Sequence, residues 1–283
     1  MHNAEVVIVG GGAAGLSAAL MLVRSRRSVL VVDAGEPRNA PAEHMHGFLS
    51  RDGTPPGELL AAGRAEVEGY GGRVVRERVR RIDRDGFTVE LDGGVVRTKA
   101  VVVATGARDE LPDVTGMAER WGRDVLHCPY CHGWEVRDQS IGVLGSAHQA
   151  LLVRQLTDRV THIGDTTDDR LTRAGVSVIE GKATRLVVQD DRLTGVELAD
   201  GTTVPVTALF VPSVPHPNDN LLTALGCDTE DDVVRVDPAG RTSVPGVYAA
   251  GNVVEPMATV VIAAAAGART GAAINFDLIE RDN

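Results

Sequence analysis

The stretch "HCPYCHGWE", residues 127–135, sets Cys128 and Cys131 two positions apart, with His127 and His132 beside them. Three kinds of chemistry use such a group. Thiolates and imidazoles bind zinc, a close thiol pair cycles between disulfide and dithiol, and cysteines also pack as small apolar side chains. Zinc fits poorly, because an adjacent Cys and His do not readily converge on one tetrahedral ion. The chain also has no second C-x-x-C and no H-x-x-x-H, so no metal site is expected. Three cysteines in all do not make a disulfide framework, and Cys227, at the end of the apolar helical pattern "LLTALGC", reads as a buried small hydrophobe.

Such residues need elements to hold them. "EVVIVGGGAAGLSAALMLVRSRRSVLVVDAGEPRN" opens with a β-branched run, Val6–Val9, followed by Gly10, Gly12 and Gly15 in G-x-G-x-x-G spacing. A helical stretch, Leu16–Arg24, leads to a second apolar run, Ser28–Val32, ending in Asp33. Strand, glycine turn, helix and strand with an acid about 20 residues on form a dinucleotide-binding pattern. The glycines allow a tight turn and the approach of a pyrophosphate to the helix N-terminus, and Asp33 can accept hydrogen bonds from a ribose. The spacing next predicts a helix over Leu59–Tyr70, a strand pair over Arg73–Val96, and an apolar strand running into Thr105 and Gly106. "QSIGVLGSAHQALLVRQL" repeats strand, turn and helix in weaker form. "GVYAAGN" then supplies a last strand and turn before an alanine-rich helix whose small residues permit close packing. The expected fold class is α/β, with two Rossmann-like nucleotide-binding domains, the second inserted in the first and degenerate. Boundaries near Asp113 and Ser213, each beside proline, give 1–113 and 214–283 to the first domain and 114–213 to the second.

With 283 residues, 43% of them apolar, the chain can bury a substantial core. No apolar run is long enough to span a bilayer and no basic n-region opens the chain, so the expected location is cytoplasmic. A net charge of −10 argues against nucleic acid and acidic membranes as partners. The basic run "RVVRERVRRIDR", Arg73–Arg84, alternates valine and isoleucine with arginine, as a strand with a solvated face does.

Together, "VVIVGGGAAGLSAA", "VVVATGA", "CPYCHGWE" and "GVYAAGN", in that order and at family-like separations, resemble the low-molecular-weight thioredoxin reductase superfamily of flavoproteins, over nearly the whole chain. The resemblance implies FAD as cofactor and a homodimer. By position, Gly10, Gly12, Ala14 and Gly15 would hold the pyrophosphate and Asp33 the adenosine ribose. Arg38, Asn39 and His46 would approach the flavin side, with Thr105 and Gly106 lining the dinucleotide. Gly251, Asn252, Thr259 and Val260 would lie by the ribityl chain and ring. The same pattern makes Cys128 the outer, interchange thiol and Cys131 the inner one that contacts the flavin, with a helix N-terminus there depressing a thiol pKa.

Three departures from the family pattern bear on function. Asn252 stands where the family usually has Asp. "GSAHQA" puts Ala147 where a second glycine would admit a pyrophosphate, and "THIGDTTDD", Thr161–Asp169, puts aspartates where an arginine cluster would take a 2′-phosphate. His132 replaces the aspartate that usually follows the second cysteine; it titrates near neutrality and is the candidate base for an incoming thiol, with His127, His44 and His46 as rivals. A C-x-x-C-H joined to a defective nicotinamide site resembles the dithiol oxidases of the gliotoxin and holomycin type. That implies oxidation of a small-molecule dithiol to its disulfide, with electrons leaving through FAD to O2 to give hydrogen peroxide. An NADPH-dependent disulfide reductase, a reductase with another electron donor, and a non-enzymatic redox sensor are the alternatives.

Overall fold

The computed structural model describes residues 2–166 and 168–283. The chain divides into two compact units: Met1–Ala40, Gly57–Arg108 and Pro215–Asn283 form one, and Pro41–Pro56 with Asp109–Val214 form the other. The second is thus inserted in the first, changing over at 108/109 and 214/215 rather than at 113 and 213. Residues 41–56, expected in the first domain, belong to the second unit.

The first unit is built on a five-stranded parallel sheet in the order Val247–Ala249, Ala100–Val103, Val6–Val9, Val29–Val32, Arg73–Val75. Each of the three central strands is buried along its whole length, as expected when both faces of a parallel sheet are covered. Alternate residues serve the two faces. Val6, Ile8, Val29, Val31 and Tyr248 pack with Leu16, Leu22 and Ile274, while Val7, Val9, Leu30, Val101 and Val103 pack with Val89, Leu222 and Val244. The helices Ala13–Arg24 and Val260–Asp282 cross at backbone distance, since a Cβ on Gly267 would lie 1.9 Å from the Ala14 carbonyl oxygen.

The expected strand pair over Arg73–Val96 is several strands. Arg73–Val75 closes the edge of the parallel sheet, whereas Val79–Asp83, Thr88–Leu91 and Gly94–Arg97 join a separate four-stranded sheet with His2–Asn3. The alternation that reads as one strand breaks at a register shift between Val79 and Arg81, so Val79 and Ile82 are both buried. Arg78 pairs with Glu36 at 2.7 Å and Arg80 with Asp92 at 2.5 Å, so acids offset much of this basic run. The helix expected from Leu59 begins at Pro56, a residue suited to a first helical position, and runs to Gly69; the first helix begins at Ala13.

The second unit has its own five-stranded parallel sheet, ordered Val125–Leu126, Ala208–Phe210, Ile141–Leu144, Val160–Ile163, Ser177–Ile179. An antiparallel sheet of Ala183–Gln189, Arg192–Leu198 and Thr203–Val204 completes it. Its helices are short. Ala147–Val153 is followed later by Asp169–Arg173, which ends early because Gly175, at φ +74, turns the chain into the last strand.

Candidate active site

Cys128 and Cys131 are joined by a disulfide, with their Cα atoms 5.2 Å apart. The strand Val125–Leu126 delivers the first cysteine, and the single helical turn Pro129–His132 the second. Cys128 is the N-cap of that turn, with extended backbone, and its sulfur accepts the backbone N–H of Cys131 at 3.2 Å. Pro129, with no N–H to leave unpaired, suits the next position. A one-turn helix has little macrodipole, so the effect expected of a helix N-terminus reduces to this one N–H···S bond.

Around the pair stand residues the sequence had put in different roles. His132 is half-buried, and its ring meets that of His46 edge to face, with centroids 6.4 Å apart. Nε2 of His46 lies 3.3 Å from Glu135 and Nδ1 lies 3.4 Å from Asp52, contacts that are both hydrogen bonds only when each ring nitrogen carries a proton. Burial pushes the His132 imidazole below its ordinary value; Glu135 draws it back up and His46 adds to the depression. The net effect keeps His132 neutral and able to accept a proton at physiological pH. His46, expected at the flavin, therefore lies within the second unit, beside His132. His44 is exposed, and His127 directs Nδ1 at the Val211 carbonyl oxygen, 3.1 Å away. Glu135 was not singled out from sequence, although its i,i+3 spacing from His132 was a usable signal. Among the described residues no group of three or more His, Cys, Asp or Glu is placed to hold a metal.

The turn that would cradle a nicotinamide nucleotide in this unit carries a cap of its own. Gly145 keeps the left-handed backbone of such a turn, at φ +87, but Ser146 caps the following helix with its own side chain, accepting the Gln149 N–H at 3.2 Å. Ala147 begins the helix. At the end of the neighbouring strand, Asp168 caps the next helix and is held down to about pH 2 by hydrogen bonds from Arg170. Aspartates do not simply replace arginines here, because Arg170 and Arg173 lie in that helix. Arg170 is nevertheless bound to Asp168 at 2.6 Å. Thr167, inside the same stretch, lies outside the described residues.

In the first unit several of the residues expected to hold FAD lie on the turns beside the first helix. Gly10 sits at φ +108, and a Cβ there would lie 2.3 Å from the Ala104 carbonyl oxygen, so only glycine fits. Gly12 differs. A Cβ on it would meet nothing within 4 Å, leaving open space over an N-terminus that no side chain caps. Asp33, at the end of its strand, accepts the N–H groups of Gly11 and Gly35, both on Oδ1 at 3.2 Å. A Cβ on Gly251, at φ +80, would come within 2.8 Å of the Ala14 methyl, which brings the last turn to the first helix. Thr259 caps the long helix that starts at Val260, again with no side-chain hydrogen bond. Open backbone donors and a carboxylate with one free oxygen suit a dinucleotide pyrophosphate and ribose.

Other residues expected at the cofactor also make hydrogen bonds within the chain. The Thr105 hydroxyl donates to the Asn218 carbonyl at 2.7 Å, and Gly106 accepts from the Asn218 N–H at 2.9 Å. Arg38 donates to the Pro256 carbonyl at 2.6 Å, while Asn39 is half-buried in the turn that follows. Asn252 carries the informative contact. Its Nδ2 faces the carbonyl oxygens of Glu255, Pro256 and Ala258 at 3.2, 3.2 and 2.9 Å, and so braces the turn that feeds the long helix. An aspartate has no N–H to give these carbonyls, which accounts physically for the departure noted in the sequence.

Comparison with known proteins agrees with this geometry. The model of the pyridine nucleotide-disulphide oxidoreductase family matches residues 4–267. The crystal structure of HlmI is 51% identical, covering 99% of this chain and 94% of that one, with a TM-score of 0.93. A putative thioredoxin reductase, TrxB, from Bacillus anthracis is 26% identical over 99% of this chain and 100% of its own, with a TM-score of 0.94. Thioredoxin reductase sirT of Leptosphaeria maculans is 30% identical over 98% of this chain and 95% of its own length. The family implies a flavin, for which the first unit has a fitting cradle. With its α/β fold, two parallel sheets and C-x-x-C disulfide, the chain belongs to the pyridine nucleotide-disulphide oxidoreductases of the thioredoxin reductase type, as a thiol–disulfide oxidoreductase.

Proposed function

We propose that this enzyme is an FAD-dependent dithiol oxidase that closes a disulfide in a small molecule, with O2 as terminal acceptor. The observation that carries the reading is a redox disulfide beside a neutral, half-buried histidine, in a unit whose nucleotide turn is capped by its own serine. FAD held by the first unit would supply a two-electron acceptor for the reduced cysteine pair, with O2 as the final oxidant and hydrogen peroxide as its product. His132 takes the proton of the first substrate thiol. The thiolate attacks the Cys128 sulfur, the Cys128–Cys131 bond breaks, and Cys131 leaves as the thiolate. The second substrate thiol then attacks the mixed disulfide at the substrate sulfur, closing the product and releasing Cys128. The Cys131 N–H, already aimed at that sulfur, stabilises the departing thiolate. Over one turnover, dithiol and O2 become disulfide and hydrogen peroxide.

A homodimer belongs to this reading, supported by Ile262, Phe276 and Ile279, apolar and exposed along the last helix. So does a cytoplasmic setting, and no helix among the described residues is long and apolar enough to cross a membrane. The deciding experiment is anaerobic. Mixed with a vicinal or 1,4-dithiol, the yellow enzyme should bleach and recover its colour on admission of air; with NADPH it should stay yellow. Rapid bleaching by NADPH would restore the reductase. Bleaching without catalytic oxygen uptake would favour the sensor.

A further inference from the structure

The helix Ala147–Val153 is capped by Ser146 and carries a glutamine three residues after the cap. In a capping box of this type the cap side chain accepts the N–H of the third residue, and that residue's side chain reaches back to the N–H of the cap. Only half is made here. Ser146 accepts the Gln149 N–H, but the Gln149 side chain turns away and donates Nε2 to the carbonyl oxygen of His127 at 2.6 Å. The sense of this amide is fixed, because a carbonyl can only receive from the nitrogen. The diversion leaves Oε1 of Gln149 buried with no partner among the described residues, in a side chain belonging to a residue 8% exposed. A buried acceptor without a partner is unfavourable, so the His127 contact must compensate for it.

His127 immediately precedes Cys128. Its ring is tied to the Val211 carbonyl, and the Val211 N–H to the Leu126 carbonyl at 2.8 Å. The Gln149 bond ties the His127 carbonyl, and with it the peptide that sets the direction of Cys128. We propose that Gln149 is a positioning residue for the cysteine pair. From a helix that in a nucleotide-binding unit would lie beneath a pyrophosphate, it holds Cys128 in the N-cap conformation from which the disulfide closes. The inference rests on the redox role of Cys128 and Cys131 proposed above.

The physical consequence concerns the reduced state. With the disulfide intact, the covalent bond keeps the sulfurs together. Once it is reduced, the non-covalent ties of residues 127 and 128 maintain the effective concentration of one thiol at the other. Loosening them favours the open dithiol.

The test equilibrates holoenzyme anaerobically in mixtures of a 1,4-dithiol and its cyclic disulfide. The reagent leaves as disulfide, and each electron pair it delivers is shared between the cysteine pair, as dithiol, and the bound flavin, whose reduced fraction is read from its visible absorbance and accounted for. The mixture is quenched in denaturant with an alkylating reagent and the modified cysteines are counted by mass, Cys227 adding a constant one. Gln149→Met, which removes the donor and the orphan acceptor together, should shift the equilibrium three- to tenfold towards dithiol; tenfold corresponds to about 30 mV. Gln149→Glu, of the same shape but with an acceptor facing the His127 carbonyl, should shift it at least as far at neutral pH. Thermal unfolding of both variants provides the control, since a purely structural role would lower stability and leave the exchange equilibrium unmoved. Variants that equilibrate within twofold of the parent would overturn the inference and leave the redox reading standing. A parent disulfide that never exchanges would overturn both.

Discussion

Gly12→Ala should leave the stability of the apoprotein nearly unchanged and weaken its cofactor binding, one methyl group acting on the bound state alone. The backbone at Gly12 lies at φ −77 and ψ −174, which alanine adopts freely, and the added carbon meets no atom within 4 Å. Replacing glycine by alanine lowers the entropy of the unfolded chain, worth about 0.4–1 kcal/mol, and the preference of a helix N-cap for glycine over alanine offsets it. The same carbon would occupy the space in which a pyrophosphate reaches the uncapped N-terminus of the first helix. Displacing it from one charged hydrogen bond costs about 1.5–3 kcal/mol, or roughly ten- to a hundredfold in FAD affinity. The assay is flavin-fluorescence titration of stripped enzyme, paired with thermal unfolding of the same apoprotein. Undiminished FAD binding by the variant would refute the placement of the pyrophosphate at Gly12. A clearly destabilised apoprotein would refute the open backbone described there. Gly15→Ala is the contrasting control, because its Cβ would lie 1.9 Å from the Gly10 carbonyl oxygen and should damage the fold itself.

Further outcomes follow from the same geometry. Asn252→Asp, although it moves towards the family's usual residue, should lower stability by about 1–3 kcal/mol at neutral pH by setting an acceptor against three carbonyls; an unchanged unfolding midpoint and unchanged flavin retention would count against the bracing role. His132→Ala should slow dithiol oxidation by roughly 10²-fold or more. Because burial lowers the pKa of His132, parent kcat/KM should hold at neutral pH and fall on acidification only below pH 6.5, a limb absent from the variant. An unchanged profile in His132→Ala would pass the role to His127 or His46. Cys128→Ser and Cys131→Ser should each abolish turnover, and reduced parent enzyme should show two fast-reacting thiols in a native thiol titration. Cys227, buried and with its thiol pKa raised by that burial, should react only on unfolding; a third fast thiol would contradict its placement.

The legible part of this protein was the part written in local spacing. Gly10, Gly12, Gly15 and Asp33 lie within one strand–helix–strand unit, so their order along the chain already encodes their geometry. Cys128 and Cys131 are likewise neighbours by construction. What stayed hidden depended on contacts distant in sequence. His46 and Glu135 meet across the length of the first sheet's insertions, and nothing in "EHMHGF" marks that segment for the second unit. The diversion of Gln149 was equally invisible, since "GSAHQ" has the spacing of an ordinary capping box and only the fold reveals that half of it is unmade. Asn252 was noticed as a departure, but its reason lies in three carbonyls that only the folded turn aligns. The basic run over Arg73–Arg84 failed differently, because a bulge breaks the period on which any alternation argument rests.

The order in which the chain leaves the ribosome matters for this architecture. Ala100–Val103 is a fully apolar strand whose outer neighbour, Val247–Ala249, pairs Val101 with Val247 and is synthesised only after the whole inserted unit. Throughout that interval the first unit presents an unsatisfied, sticky strand edge, and its closure requires a contact of very high sequence separation. The second unit, nearly contiguous, has every strand of its parallel sheet by Phe210 and can mature first. Production at high translation rates should therefore divert nascent chains into aggregates through the first unit's sheet, and slower synthesis at lower temperature should raise the yield of yellow protein.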